Sequence, residues 1–180
     1  ILTKFALLSQ SKSKQLLSKI DNLGNNELAA YLVDILPKMI MRIARLYVRL
    51  EQGVKYQKTE NEQNGVSIEL KDKDNVLVVS IISDDDFSNK VMVGMTQIMT
   101  GDKNINETNI EELTDPDTCN TDVLAGFLDI VIGNAIMTYK EENPNLSMGT
   151  PIYDHSHEES YSFSIDSKIG HAKFLLSNKK

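Results

Sequence analysis

Two long segments of the chain carry apolar residues at steps of three and four positions, the spacing of an amphipathic helix. The first covers residues 27–52 and the second residues 122–142. Pro37 removes one backbone donor from the first helix, so we expect a kink or a break into two shorter helices there. Each helix must bury its apolar side against another layer, so the two segments predict a layered domain.

Runs rich in valine, isoleucine and other strand-forming residues lie between and after these helices. A shorter helical segment, residues 87–99, follows three aspartates that suit a helix start. The order of helices and strands predicts an α+β fold in which a twisted, mostly antiparallel sheet is packed on one face by the two long helices. The predicted strands are 54–58, 65–70, 76–82, 146–153, 160–165 and 170–176.

Composition limits the partners and the compartment. A chain of 180 residues with net charge −7 and a pI near 5.0 lacks the clustered basic residues that bind a nucleic-acid backbone. Cys119 is the only cysteine, which excludes a disulfide framework and favours a reducing compartment, so we expect a cytoplasmic protein. The longest apolar runs are far shorter than the roughly 20 residues that span a bilayer, so no membrane segment is predicted.

A change in pattern near Gly24 divides the chain in two. Residues 1–25 read as an N-terminal appendage with a short apolar segment and a short helix, and residues 26–180 read as one domain. No internal repeat or low-complexity segment interrupts the second part.

Two short motifs in the second half resemble a known family. Gly133-Asn134-Ala135 in the predicted helix and Gly149-Thr150-Pro151-Ile152 in the following strand are similar to motifs of the CheX-type phosphatases of bacterial chemotaxis, the CheC/CheX/FliY superfamily. The resemblance extends over residues 27–177. It implies the CheX/CheC fold and, as partner, the phosphorylated receiver domain of a CheY-like response regulator.

The family's dephosphorylation motif is altered in this chain. The resemblance puts Gly126 at the position of the family's glutamate and Asp129 at that of its asparagine, whose amide orients the attacking water. An amide both donates and accepts hydrogen bonds, whereas an ionised carboxylate only accepts and brings negative charge towards a phosphoryl group. We therefore predict a binding or regulatory domain with impaired catalysis, and Asp129 and Asn134 are its candidate site residues.

Three alternatives remain open. The chain is an active aspartyl-phosphate phosphatase if Asp129 acts as a general base on water, or if Asn134 positions that water. The sequence Glu142-Asn143-Pro144-Asn145 has the right spacing for a second motif, but Pro144 ends the helix and separates the two side chains. The third alternative is a structural dimerisation module, because relatives of this fold are often homodimers and exposed strand edges readily pair.

Other polar and sulfur-containing groups have simpler interpretations. His155 and His157 alternate along an extended segment and suit a metal ion, but the spacing fixes no third ligand. We expect a polar loop there, and neither a metal nor a cofactor is predicted. The helical methionines read as core residues, with a methionine-rich docking surface as the alternative.

The N-terminal segment has a resemblance of its own. Ile1-Leu2-Thr3-Lys4-Phe5, followed by a helix around Leu16 and Ile20, is similar to the last strand and helix of a receiver domain. Residues 1–25 would then be the tail of an upstream receiver, and the alternative is an ordinary N-terminal arm.

Overall fold

The computed structural model describes residues 15, 17, 26–60, 62–72, 75–110, 119–139, 145–153 and 157–179. The predicted receiver tail lies outside these residues apart from Gln15 and Leu17, and so do His155 and Glu142, the first residue of the alternative motif that ends at Asn145. The described chain has three long helices, α1 Asn26–Ala44, α2 Asp85–Thr100 and α3 Asn120–Tyr139. Its strands are β1 Arg49–Leu50, β2 Val54–Lys55, β3 Asn64–Asp72, β4 Asn75–Ser83, β5 Ser147–Met148, β6 Tyr161–Asp166 and β7 Ala172–Lys179.

The strands form one antiparallel sheet. Their order is β1-β6-β7-β4-β3-β5, and β2 pairs with β6 beside β1. The longest pairings are β3 with β4, in which Ile68 faces Val79, and β4 with β7, in which Val79 faces Leu176. The predicted α+β class with a mostly antiparallel sheet is confirmed.

One face of the sheet carries the core and all three helices. Alternate strand residues such as Ile68, Ile81 and Phe174 are fully buried there, as the period of two along a strand requires. They form one cluster with residues of α1, α2 and α3. The predicted packing of two long helices on one face is confirmed, and α2 joins them in the same layer. Leu17, from the predicted appendage, is 8% exposed and belongs to this cluster.

Connections of the chain cover the opposite face. Because β2 lies beside β6 while β3 lies beyond β7 and β4, the connection from β2 to β3 leads from one side of the sheet to the other, and the connection from β5 to β6 leads back. The first is described at residues 56–60 and 62–63, and the second at residues 149–153 and 157–160. Lys173, on this face of β7, donates hydrogen bonds to Gln57 O and to Glu62 Oε1 on the first crossing segment. The rings of Tyr56 and His157 join the two segments with a centroid distance of 5.7 Å.

The first helix is shorter than predicted. It ends at Ala44, and Arg45 adopts the left-handed conformation (φ 56°), after which the chain becomes extended and β1 pairs with β6. The predicted helix over residues 45–52 is therefore wrong. The apolar residues in that segment fit the period of a helix and that of a strand. Tyr47 is 83% exposed, however, and the pairing of Arg49 with Asp166 shows that the segment is extended. Pro37 lies inside a continuous helix, so the predicted break is not observed.

The predicted strand over residues 146–153 is reduced to two residues and one bridge. Ser147 and Met148 pair with β3, and Ile152 forms an isolated bridge with Ser67. Pro151, between them, has no N–H to contribute to a ladder, which accounts for the interruption. The predicted strand over residues 54–58 is likewise only Val54–Lys55.

Helix α2 has clear signals at both ends. The Asp84 carboxylate caps it by accepting a hydrogen bond from Phe87 N at 3.0 Å. Gly101 ends it in the left-handed conformation (φ 75°), and its N–H donates to Gln97 O at 3.0 Å. The three predicted aspartates are therefore at the helix start, as expected.

Candidate functional site

The residues of the altered motif lie on the outward face of α3. Residues 126, 129, 130, 133 and 137 share this face because they are separated by three or four positions. Asp129 is exposed, Ile130 is 37% exposed and Met137 is 77% exposed. The opposite face of the helix is buried against the sheet and the other helices, through residues that include Leu124, Phe127, Leu128, Val131, Ile132 and Ala135.

The two candidate side chains do not meet. Five positions along an α-helix correspond to a rotation of about 140°, so Asp129 and Asn134 lie on opposite borders of the outward face. The Asn134 amide donates a hydrogen bond to Ile130 O of its own helix at 2.8 Å. Asp129 forms no hydrogen bond or ion pair with the part of the chain that the structure describes. A site in which both side chains hold the same water is excluded in this arrangement.

Bare helix backbone lies at the centre of the outward face. A Cβ atom built on Gly133 would meet nothing within 4 Å, so this part of the helix is open. A Cβ atom on Gly126 would lie 3.2 Å from Cε of Met95, which belongs to α2. The methyl end of Met95 therefore occupies the space beside Gly126.

Helix α2 adds apolar surface beside Gly126. Met99 follows Met95 by one turn on the same side of α2 and is 82% exposed, and Ile98 is 59% exposed. Together with Ile130 and Met137 of α3, these residues form the surface that we call the α2/α3 face. Exposed apolar patches often mark interaction surfaces, and the methionine-rich docking surface stays a prediction for this face.

A hydrogen-bond network fixes the start of α3 beside this face. Asp122 accepts from the thiol of Cys119 at 3.0 Å, from Cys119 N at 3.4 Å and from the hydroxyl of Tyr153 at 3.2 Å. These bonds hold the pKa of Asp122 below its ordinary value, while partial burial and the Asp122 carboxylate raise the pKa of Tyr153. The sequence analysis missed these residues, although the three-residue spacing of Cys119 and Asp122 is that of a capping box.

A second bond network ties α3 to α2 and to the sheet. Asp85 Oδ1 accepts from the side-chain amides of Asn64 at 2.9 Å and Asn120 at 2.8 Å. One carboxylate at the start of α2 therefore links β3 and the first residue of α3. The motif residues Thr150 and Pro151 lie on the segment that leads to Tyr153, whose hydroxyl donates to Asp122 at the start of α3.

The histidines are not gathered into a metal site. Within the described residues, no group of three or more His, Cys, Asp or Glu side chains is placed to hold a metal ion. His157 packs against Tyr56, and His171 contributes its backbone N–H to the Asp84 carboxylate at 2.7 Å.

A polar cleft of about 340 Å³ lies on the opposite side of the domain, between β6, β7 and the first crossing segment. Lys173 and Glu62 form an ion pair there at 2.5 Å, with side chains that are 18% and 8% exposed. Burial opposes ionisation of Glu62, but hydrogen bonds from Lys173, Tyr56 and Thr59 outweigh it, so the pKa of Glu62 lies below its ordinary 4.5. This pair fastens the crossing segment to the sheet.

The apolar character of α3 extends almost all round the helix. Residues 120–137 are long and apolar enough, by length and composition, to cross a membrane, and 44% of this segment is buried inside the domain. The absence of a membrane-spanning segment therefore stays a prediction. A helix that packs against a sheet and two other helices has the same composition, which makes this weak evidence for a membrane span.

Comparison with known proteins identifies the fold. No protein-family model matches the sequence, and no curated protein matches it significantly. Among solved structures, the chemotaxis protein CheX from Vibrio vulnificus has a TM-score of 0.60 and 15% identity, covering 85% of this chain and 99% of its own. A CheC-like superfamily protein from Shewanella sp. PV-4 has a TM-score of 0.62 and 15% identity, covering 85% and 97%.

A third similar structure is a chain of the CheX–CheY–BeF3–Mg²⁺ complex from Borrelia burgdorferi, with a TM-score of 0.54 and 8% identity, covering 86% of this chain and 99% of its own. All three matches extend over nearly the whole length of the other protein, which agrees with the extent of the resemblance in sequence. The chain is therefore a domain with the CheX-like fold, the fold shared by the CheX and CheC-like chemotaxis proteins.

Proposed function

We propose that this chain is a signalling domain that binds the receiver domain of a CheY-like response regulator through the α2/α3 face, without hydrolysing its phosphoryl group. The observation that carries the proposal is the presence of Gly126 and Asp129 on the exposed face of α3. The fold of this chain is similar to that of a chain from a CheX–CheY complex. The domain would act in a chemotaxis or other two-component pathway of the cytoplasm.

The chemistry of the face supports binding over catalysis. Hydrolysis of an aspartyl phosphate requires a water held in line with the phosphorus, and the carboxylate of Asp129 cannot donate a hydrogen bond to a phosphoryl oxygen. Its charge also repels the phosphoryl group. Asn134 has a suitable amide, but it lies about 140° around the helix from Asp129 and donates to Ile130 O.

The shape of the face supports a protein partner. Gly133 leaves the helix backbone open to close approach, and Ile130 and Met137 supply exposed apolar area on the same face. Apolar and methionine side chains at the centre of a surface are typical of protein interfaces. The face carries little charge, so the partner contact would depend mainly on apolar burial.

Dimerisation through the sheet edges has less support. Strands β1, β2 and β5 are two residues long, and Pro151 interrupts the pairing of the last. Short and interrupted edge strands limit edge-to-edge association. A homodimer through another surface stays compatible with receiver binding.

The proposal is tested by the rate at which a phosphorylated receiver loses its phosphoryl group, with and without this protein. We expect no acceleration by the wild-type protein, together with co-elution of the two proteins in size-exclusion chromatography. The control variant is Glu51→Gln, which removes an exposed carboxylate far from α3. Acceleration that is lost in Asp129→Ala but kept in Glu51→Gln would contradict the proposal, because it would show an active phosphatase with Asp129 in its site.

A further inference from the structure

Met95 takes the space in which a side chain at position 126 would begin. Its Cε atom is 3.2 Å from a Cβ atom built on Gly126, which is closer than ordinary van der Waals contact. Met95 belongs to α2 and is partly buried against the core cluster, so its methyl end is held between the two helices. The methionine of α2 therefore fills the space that a side chain at position 126 of α3 would occupy.

We propose that Met95 takes the space of the missing side chain at position 126, so that Gly126→Glu together with Asp129→Asn does not restore hydrolysis while Met95 is present. The inference rests on the proposed function and deepens it, because it assigns the loss of hydrolysis to residues on two helices. Met95 is a positioning residue in this account, since it acts on the side chain at position 126 and does not itself contact the phosphoryl group.

The physical reason is competition for space and for water. A carboxylate introduced at position 126 must either displace the methyl end of Met95 or lie against it. In the second case the thioether removes water from one side of the charge, and desolvation disfavours the ionised form. A shorter residue at position 95 removes the conflict.

Met148 provides a matched control. It is also a partly exposed methionine, but it lies on β5, outside the α2/α3 face, and it is not among the atoms nearest to a Cβ atom on Gly126. Shortening Met148 removes the same thioether group without opening space at position 126.

The reaction to be restored is hydrolysis of the aspartyl phosphate. Water attacks the phosphorus, a new P–O bond forms, and the bond from phosphorus to the aspartyl oxygen breaks. The products are the free carboxylate of the receiver and inorganic phosphate, and the proton lost by water passes to phosphate or solvent. No other reactant is needed.

The experiment compares three variants in the same dephosphorylation assay. The first is Gly126→Glu/Asp129→Asn, the second adds Met95→Ala, and the third adds Met148→Ala. We expect the variant with Met95→Ala to release phosphate about tenfold faster than the other two, or more. Met95→Val, which also shortens the side chain, serves as a second variant if the alanine protein does not fold by circular dichroism.

Two results would overturn the inference: equal rates with and without the change at Met95, or no release of phosphate by any variant. Binding of the phosphorylated receiver to the wild-type protein is measured in parallel by fluorescence titration. Equal rates together with intact wild-type binding refute the role of Met95 alone. A wild-type protein that binds no receiver refutes the proposed function itself.

Discussion

Gly94→Ala tests the closest approach between two helices in the domain. A Cβ atom on Gly94 would lie 2.7 Å from the carbonyl carbon of Ile43 in α1, and the carbonyl oxygen lies closer still. Ordinary contact begins at 3.4 Å, so α1 and α2 would have to separate by about 0.7 Å or more. Overpacking of this kind costs about 1–3 kcal/mol. The clash involves backbone atoms, which cannot rotate away, so we take the upper end of this range.

The higher helix propensity of alanine offsets about 1 kcal/mol of this cost, which leaves a net loss of about 2 kcal/mol in the free energy of unfolding. Urea denaturation followed by circular dichroism measures it. With a slope of about 2 kcal/mol per molar urea, the midpoint falls by about 1 M.

Gly133→Ala is the matched control, because nothing lies within 4 Å of its Cβ position and the midpoint should rise slightly. Equal midpoints for the two variants would refute the close packing of α1 and α2.

Further predictions concern the ion pair, the cap of α2 and the exposed carboxylate of α3. Glu62→Gln should lower the free energy of unfolding by about 2 kcal/mol at neutral pH, because Lys173 loses its buried partner and keeps only neutral acceptors. The pKa of Glu62 in the folded state lies below 4.5, so the stability that this ionised carboxylate contributes is present above pH 4.5 and is lost as the pH falls through the folded-state pKa. The urea midpoint should therefore fall more between pH 7 and pH 3 for wild type than for Glu62→Gln. An equal fall of the midpoint in both proteins would contradict the ion pair. Asp84→Ala removes the bond from Phe87 N and a second bond from the backbone N–H of His171, just before β7, and should cost about 2 kcal/mol in the same measurement. Asp129→Ala should leave the midpoint unchanged, because the side chain is exposed; a loss above about 1 kcal/mol would show an unrecognised structural role.

Much of the fold could be predicted from local sequence. The helical spacing of apolar residues predicted α3 and most of α1 correctly, because the apolar residues of each helix that face the core are buried. The end of α1 was missed because Leu46 and Leu50 fit a helix and a strand equally well. Pairing of Arg49 and Leu50 with β6 decides between them, and that partner lies more than a hundred positions away. Local patterns do not contain such information.

The sequence could place the candidate residues on a helix but could not give their surroundings. The resemblance put Gly126 and Asp129 on the helix that is α3, and both lie on its outward face; that they form a functional site stays a prediction. Asp129 and Asn134 were alternatives for positioning the water, and the five positions between them separate them widely around the helix. The contact between Gly126 and Met95 depends on how α2 packs against α3, and the bond of Tyr153 to Asp122 depends on the course of a loop. Neither follows from spacing along the chain.

Binding of an activated receiver to the α2/α3 face tests the central claim most directly. A fluorescently labelled receiver, activated with beryllofluoride as a phosphoryl mimic, is titrated with wild type, Met137→Asp and Val54→Asp. Met137 and Val54 are both exposed apolar residues, but Val54 lies on β2, away from α3. We predict saturable binding for wild type and Val54→Asp, and about tenfold weaker binding for Met137→Asp. Absence of binding by wild type, or equal affinities for all three proteins, would contradict the account.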